Sequence, residues 1–427
     1  MKRPVRQTNL LRFWRDRRGA MLPVIALSFT VILAAGALGI DVSRLTVERS
    51  RLQTTADIAA RAATRLLPNA NAARAEAIAY AQNNMPPQEF GNVLVAQDVE
   101  VGSWDTGTQS FNAGGGPPNA LRITTRRAPA NGNPVPMTLA RTFGISQGSV
   151  ATSAIATQVN AGTACVLALA GSGTGMTIGG NVDITATNCG FAVNSTDAPG
   201  ALDLQGNAAQ ADILSMYVVG DYDDPHGTIN STEPPVTNTG APIPDPYAGV
   251  TVPNQPQSPT AFANSKPSNS ITLEPGTYPS GFTFKGDVHM EAGIYVMEGD
   301  VSVNAQASVT GESDGVTIVL KDSDITVNGG ADMDLTAPDS GPTKGLVVMR
   351  DGPPSAGNDI NGSGALTFTG GLYFPNSQLD FSGTSAANGC LQVVAHRIDF
   401  HGNPDFQTNC GNFGTEDINL TVVSLVK

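Results

Sequence analysis

The sequence predicts a mainly β chain: an N-terminal transmembrane helix and amphipathic helix, a small α+β unit, then a parallel β-solenoid-like domain with two disulfides. Three observations predict it. An uncharged run of 22 residues follows a basic tail, an apolar-x-apolar-x-small pattern recurs in the C-terminal two thirds, and four cysteines stand at spacings near that recurrence. The 427 residues exceed one usual domain. Charged residues are only 14%, against 47 Gly and 29 Pro, which excludes coiled coils and leucine-rich bundles for most of the chain.

Residues 1–18 hold seven basic residues and one acidic, Asp16; the remainder holds 17 basic and 36 acidic residues, a net of −19. Nucleic acid is therefore not expected as a partner. The run Gly19–Ile40 carries no charge, and at about 1.5 Å per residue it spans the roughly 30 Å hydrocarbon core. A cleaved signal peptide would have a shorter apolar region and a small-x-small site. The basic flank keeps residues 1–18 in the cytoplasm and exports the chain beyond Asp41. The expected location is a bacterial inner membrane, single-pass, with a periplasmic body.

From Asp41 to Leu67 no Gly or Pro interrupts the pattern. Leu45, Leu52, Ala56, Ala59, Ala63 and Leu66 recur as an amphipathic stripe, and Pro68 stops the helix. The preferred reading is that the stripe packs on its own domain, on the next helix, Asn71–Asn84. The alternative is a partner-docking seam, through which the chain could also pair with itself. The expected organisation is a tail at 1–18, a membrane span at 19–40, a helical stalk at 41–84, the α+β unit at 85–160 and the solenoid-like body at 161–427.

Arg17-Arg18-Gly19-Ala20 before the apolar run, Ile40-Asp41-Val42-Ser43-Arg44, and Arg49 through Ala63 resemble the N-terminal region of TadG-like proteins of Flp (tight adherence) pilus systems. The resemblance implies an inner-membrane protein that serves pilus assembly or attachment alongside other pilus-assembly proteins. Val24 stands where pilin-like members place Glu, so peptidase processing is not expected. TadG-like proteins often carry a von Willebrand A-type domain, whose Asp-x-Ser-x-Ser metal motif is absent here.

In the middle segment, Val93–Val101, Ala120–Arg127 and Ser149–Val159 read as strands, and Met137–Phe143 as a short helix. Arg122, Arg126 and Arg127 form a basic cluster, read as a solvated strand face in preference to an anion site. Further on, the repeat begins at Met176, Leu202, Val301, Ile325, Leu366, Leu379 and Ile398. Alternation closed by Gly or Asn marks a short strand and a corner, and recurrence every 20–25 residues suggests one coil of a solenoid. A sandwich or barrel is the alternative. Ten prolines in residues 225–267 mark an extended segment that links two solenoid pieces or runs along one.

Four cysteines allow three pairings. Cys165–Cys189 and Cys390–Cys410 are each about one repeat apart, and residues one coil apart stack at about 4.8 Å, within disulfide reach. Asp221, Asp223 and Asp224 are weak metal candidates beside His226, without the register of a known metal loop. No catalytic motif and no cofactor fingerprint stands in the sequence. A membrane-anchored scaffold without catalysis is the leading reading. An adhesin or carbohydrate binder would need exposed aromatic platforms, for which Tyr278, Phe282, Phe284, Tyr295, Tyr373 and Phe374 are candidates; a β-helix enzyme acting on carbohydrate is third.

Overall fold

A computed structural model describes residues 21–205, 209–239, 241–263, 266–267, 269–361, 366–382, 390–401 and 413–426; at 22–23, 30–31, 33–35, 37–38, 143 and 161 only the backbone is described. The basic tail, Cys410 and the glycine corners after Leu202, Leu379 and Ile398 lie outside these residues. The chain divides into two units, Met1–Val159 with Val423–Lys427, and Asn160–Val422.

In the first unit, helix α1 runs unbroken over Met21–Thr64. It ends in turns that lead to Pro68, where Leu66 N–H donates to Ala63 O. Helix α2, Ala70–Asn84, is capped by Asn69, whose side chain accepts the Ala72 N–H at 3.1 Å. Strands β1 (Val99–Asp105), β2 (Ser110–Ala113), β3 (Ala120–Arg127) and the start of β6 (Val150–Ala168) form an antiparallel sheet in the order β2-β1-β3-β6. Between β3 and β6, β4 (Val135–Pro136) and β5 (Gln147–Gly148) pair as a hairpin.

Two elements differ from the sequence reading. The first strand begins at Val99, because Ala96–Asp98 forms a 3-10 turn. The helix expected over Met137–Phe143 is only a 3-10 turn at Ala140–Phe143, since Met137 N–H is committed to Ser146 O across the hairpin.

Large apolar side chains at Val24, Ile25, Leu27, Phe29, Ile32 and Ile40 of α1 are exposed. Among the described residues, no helix is long and apolar enough to cross a membrane. Nine side chains between positions 22 and 38 lie outside that statement, while residues 21–40 contain no charge in the sequence.

The second unit is built from short strands joined in parallel ladders. One ladder aligns Val301 with Ile325, Leu379 with Ile398, Ile398 with Met176, and Met176 with Leu202. Six of the seven repeat segments fall in this ladder; the copy at Leu366 pairs with Met333 in a neighbouring one. Alternation puts Val303, Val327, Ile360, Phe381, Phe400, Ile178 and Leu204 inside, all buried. Each buried side chain of this size contributes about 1.5–3 kcal/mol relative to exposure.

A second ladder shows how the chain is wound. Its registers run Thr277, Val296, Val319, Met349, Tyr373, Val394, Leu167, Ala192 and Tyr217. The chain enters mid-ladder at Leu167, climbs to Tyr217, crosses to the far end at Thr277 and winds back to Val394. The strand of this ladder that comes last in the chain, Leu391–Phe400, therefore pairs with the one that comes first, β6. Isolated bridges Tyr217–Val236 and Gln257–Thr277 mark where the proline-rich segment leaves one end and reaches the other. Eight ladder steps separate the two ends, about 38 Å at about 4.8 Å each. Residues 236–257 reach about 65 Å when extended at about 3.1 Å per residue.

The proline-rich segment thus both links and runs along the ladder. Tyr217 Oη donates to Ala241 O at 2.8 Å, Asn194 exchanges two bonds with the Ile243 backbone at 2.8 and 2.7 Å, and Tyr373 Oη donates to Asp245 at 2.8 Å. Ile243 and Tyr247 are buried on the ladder's outer apolar column with Val319, Met349, Tyr373 and Val394. Proline suits this path because it offers no N–H that would need a ladder partner.

Candidate functional site

The chemistry of the first unit is concentrated where α1 meets the hairpin and the sheet. Asp41 is the first charged residue after the apolar run, and it is only 2% exposed. Its carboxylate accepts the N–H groups of Thr138 (3.0 Å), Leu139 (2.9 Å) and Ala140 (2.6 Å). The bonds from Ala140 and Thr138 hold its carboxyl below the ordinary range against the opposing effect of burial. Arg44 donates to Thr138 Oγ1 at 3.3 Å. One turn further, Leu45 packs so closely on the hairpin that a β-carbon at Gly148 would come within 2.8 Å of it.

Glu48 stands at the centre of a second group. Arg127 Nη1 donates to Glu48 Oε2 at 2.8 Å, and both side chains are about nine-tenths buried. Arg51, 54% exposed, reaches the other oxygen at 3.4 Å. Both guanidinium groups lie over the Phe90 ring, at 5.8 and 5.7 Å from its centre. Beside them opens a cleft of about 470 Å³, lined by Val47, Ser50, Arg51, Asn84, Glu89 and Phe90 among others.

The basic cluster is therefore neither a solvated face nor an anion site, because each arginine already has an acid. Arg122 pairs with Glu100, Arg126 with Asp98, and Arg127 with Glu48. Burial raises the Asp98 carboxyl even though Arg126 pulls it down.

The stripe proposed as a docking seam is covered by its own unit. Leu52, Ala56, Ala59 and Ala63 are buried against Ala73, Ala77 and Ala81 of α2 and against Leu121, Ile123, Ala154 and Ala156 of the sheet. Leu45 is half-buried on the hairpin. Alanine on both helices lets the backbones approach, which explains the stripe as intramolecular packing. Outward-facing apolar positions of α1 are instead Val42, Val47 and Ile58.

In the second unit Cys165 and Cys189 form a disulfide with Cα atoms 5.6 Å apart. Cys390 is buried, while its expected partner Cys410 lies outside the described residues. The weak metal candidates are spread over separate tasks. Asp224 accepts Thr228 N–H and Ile229 N–H at 3.0 Å each, closing a turn, and Asp221 accepts Asn238 Nδ2 at 3.3 Å. Asp223 lies in register with Asp203. Among the described residues no group of three or more His, Cys, Asp or Glu is arranged to hold a metal.

The aromatic platforms are corrected too. Tyr278, Phe282, Phe284, Tyr295, Tyr373 and Phe374 are all buried, and among the described residues of the second unit the exposed aromatic is Phe262, at 72%. Sequence reasoning missed one alignment: Asp359, Asp380 and Asp399 stand on successive rungs of one ladder, with Thr177, Asp203 and Asp223 beyond. The signal lay in the Leu-Asp-Phe and Ile-Asp-Phe repeats, whose middle positions share a face. Burial foremost, with Asp380 alongside, raises the carboxyls of Asp359 and Asp399, and His401 lowers both.

Comparison with known proteins agrees with this division. Residues 19–75 match the family of Flp pilus-assembly TadE/G-like proteins, and residues 55–156 match that of Tad-like Flp pilus-assembly proteins. Residues 256–409 match a domain of unknown function (DUF7305). No curated protein matches the chain. Among solved structures, the competence-associated pilin ComZ from Thermus thermophilus is similar at 11% identity, over 77% of this chain and 87% of that one, with a TM-score of 0.21, too low to support an argument. The two N-terminal matches run together from residue 19 to 156, through α1, the Asp41 contact and the β1–β3 sheet, and by them this N-terminal region is that of a TadG-like Flp pilus-assembly protein.

Proposed function

We propose that this protein is a membrane-anchored structural component of Flp pilus assembly, a scaffold or docking protein that acts without catalysis. The observation that carries the reading is the Tad-type match over a helix that continues unbroken from an uncharged segment into a folded unit. Residues 21–40 would cross the bacterial inner membrane with the basic tail in the cytoplasm, as the charge asymmetry favours. The exposed Val24, Ile25, Leu27, Phe29 and Ile32 support this, since lipid is the solvent in which such a surface is stable. Both units would then lie in the periplasm.

The second unit would serve as a rigid β-solenoid, a reading supported by successive parallel ladders with stacked aliphatic interiors. A second disulfide, Cys390–Cys410, would clamp it as Cys165–Cys189 does. An oxidising compartment favours both. With the alanine stripe of α1 covered, docking on other pilus components would use the outer face of α1 and the cleft beside Phe90. Self-association would run through the membrane segment.

A chain truncated after Val159 tests the scaffold role. Loss of pili with the anchor retained is expected; retained pili with lost surface attachment would point to an adhesin instead. Alkaline phosphatase fused at the C-terminus should be active, and a fusion active only in the cytosol would overturn the topology.

A further inference from the structure

The β4–β5 hairpin carries a turn whose exposed residues have no task in the first unit's core. Its stem is closed by Met137 N–H to Ser146 O (3.0 Å), and its tip by Ile145 N–H to Ala140 O (3.1 Å). Contacts with α1 fix the direction in which the hairpin points. The stem residue Gly148 lies against Leu45, whereas the N–H groups of Thr138, Leu139 and Ala140, nearer the tip, point at Asp41. From Leu45 back to Asp41 is about 6 Å along the helix, toward the apolar run. The hairpin therefore descends α1, Ile145 is held at the Asp41 contact by its bond to Ala140, and the turn Arg141–Gly144 points on toward Ile40.

The tip lies in an acid-free stretch, residues 106–182, of a chain with 36 acidic residues after position 18. Ile145 is 54% exposed, Arg141 and Arg44 are exposed, and Ile40 and Val42 are exposed on the helix at the same level. The nearest carboxylate in sequence on this stretch of α1, Asp41, is enclosed by three N–H groups and faces the hairpin. An apolar side chain flanked by arginines at the end of a membrane span matches the interfacial layer, where apolar groups enter and cations meet phosphate.

We propose that the tip of this hairpin is a second membrane contact, with Ile145 entering the interface and Arg141, with Arg44, meeting the phosphates of anionic lipids. It rests on the reading of residues 21–40 as a membrane span. Its consequence is mechanical: a unit held at two points, the helix and the tip, cannot swivel freely about the helix axis.

The test uses the full chain in phosphatidylcholine vesicles, with and without phosphatidylglycerol, containing lipids brominated near the headgroup end of the acyl chain. Ile145→Trp should add fluorescence, above that of Trp14 and Trp104, that these lipids quench, more strongly with phosphatidylglycerol present. Arg141→Glu in that background should lower the bound-to-free ratio of the tip about fivefold or more. Phe29→Trp reports the span, and Ile58→Trp, about 27 Å beyond Ile40 along the helix, should remain unquenched. Quenching at Phe29→Trp without quenching at Ile145→Trp overturns the tip contact and leaves the span. Absence of quenching at both overturns the span and the tip contact with it. Shielding of Ile145→Trp from aqueous iodide without lipid quenching would mean a protein covers the tip, which also overturns the proposal. Ile145 and Arg141 are both exposed, so the fold does not depend on them.

Discussion

Val394 lies beside Leu167 in a parallel ladder, although one belongs to the strand of that ladder latest in the chain and the other to the earliest. The two arms of the winding meet at this seam, where Arg397 also donates to the Ser172 and Thr174 carbonyls, and the proline-rich segment is what allows the return. Val393 and Val166, in register at that seam, are both fully buried. Val393→Ala should cost about 2 kcal/mol in the stability of the second unit, read by denaturant unfolding. An unchanged midpoint would show that the seam is not closed in solution.

Asn194 holds the proline-rich segment by two bonds to Ile243. Asn194→Ala leaves both backbone groups of a buried residue unpaired and should cost about 2–3 kcal/mol. The same change should speed proteolysis within residues 236–257, which fragment mass analysis can read.

Glu48 and Arg127 are a buried pair, whereas Arg51 is half-exposed. Removing one partner of a buried pair strands the other charge, so Glu48→Ala should destabilise the first unit by about 3–5 kcal/mol. Arg51→Ala should cost less than about 1 kcal/mol. Equal effects of the two would contradict the burial difference.

The Cys165–Cys189 link closes a loop of 24 residues. The double change Cys165→Ala, Cys189→Ala should cost about 3 kcal/mol by the loop-entropy relation. Thermal unfolding of the full chain, with and without the change, measures it.

Asp359 and Asp399 have raised carboxyls in the folded state, from burial first and Asp380 beside them. The folded form therefore holds these protons more tightly than the unfolded chain. Their contribution is fully present below the ordinary carboxylate range and is lost as pH rises through the raised folded values. Asp41 and Asp224 act in the opposite sense, contributing above the ordinary range and losing it as pH falls. Asp380→Asn should lower the two raised carboxyls and flatten the pH dependence of the second unit's unfolding above the ordinary carboxylate range. An unaltered profile would mean that the three rungs do not interact.

Much of the architecture was legible in the residues themselves. An uncharged run after a basic tail, a Gly-free stretch from Asp41 to Leu67 and a repeat alternating apolar and polar positions are local patterns. They set helix and strand through side-chain periodicity, which needs no knowledge of distant partners. The Cys165–Cys189 pairing was readable for the same reason: its partners are one repeat apart. What the alanine stripe of α1 would meet was not readable, because small apolar residues suit a neighbour in the same chain and one in another equally well. The aromatic candidates failed likewise, since alternation says that a side chain faces one side without saying which side is the core.

By itself the sequence determined the basic tail, the apolar run, the strand-and-corner rhythm of the body and the family motifs around Asp41. Tertiary structure alone decided that Asp41 grips residues 138–140, that three arginines are each matched with an acid, and that Leu391–Phe400 returns to β6. The physical reason is range: periodicity and composition act over a few residues, whereas these contacts join positions far apart in the chain, and only the folded backbone brings them within the few ångströms over which hydrogen bonds and packing act.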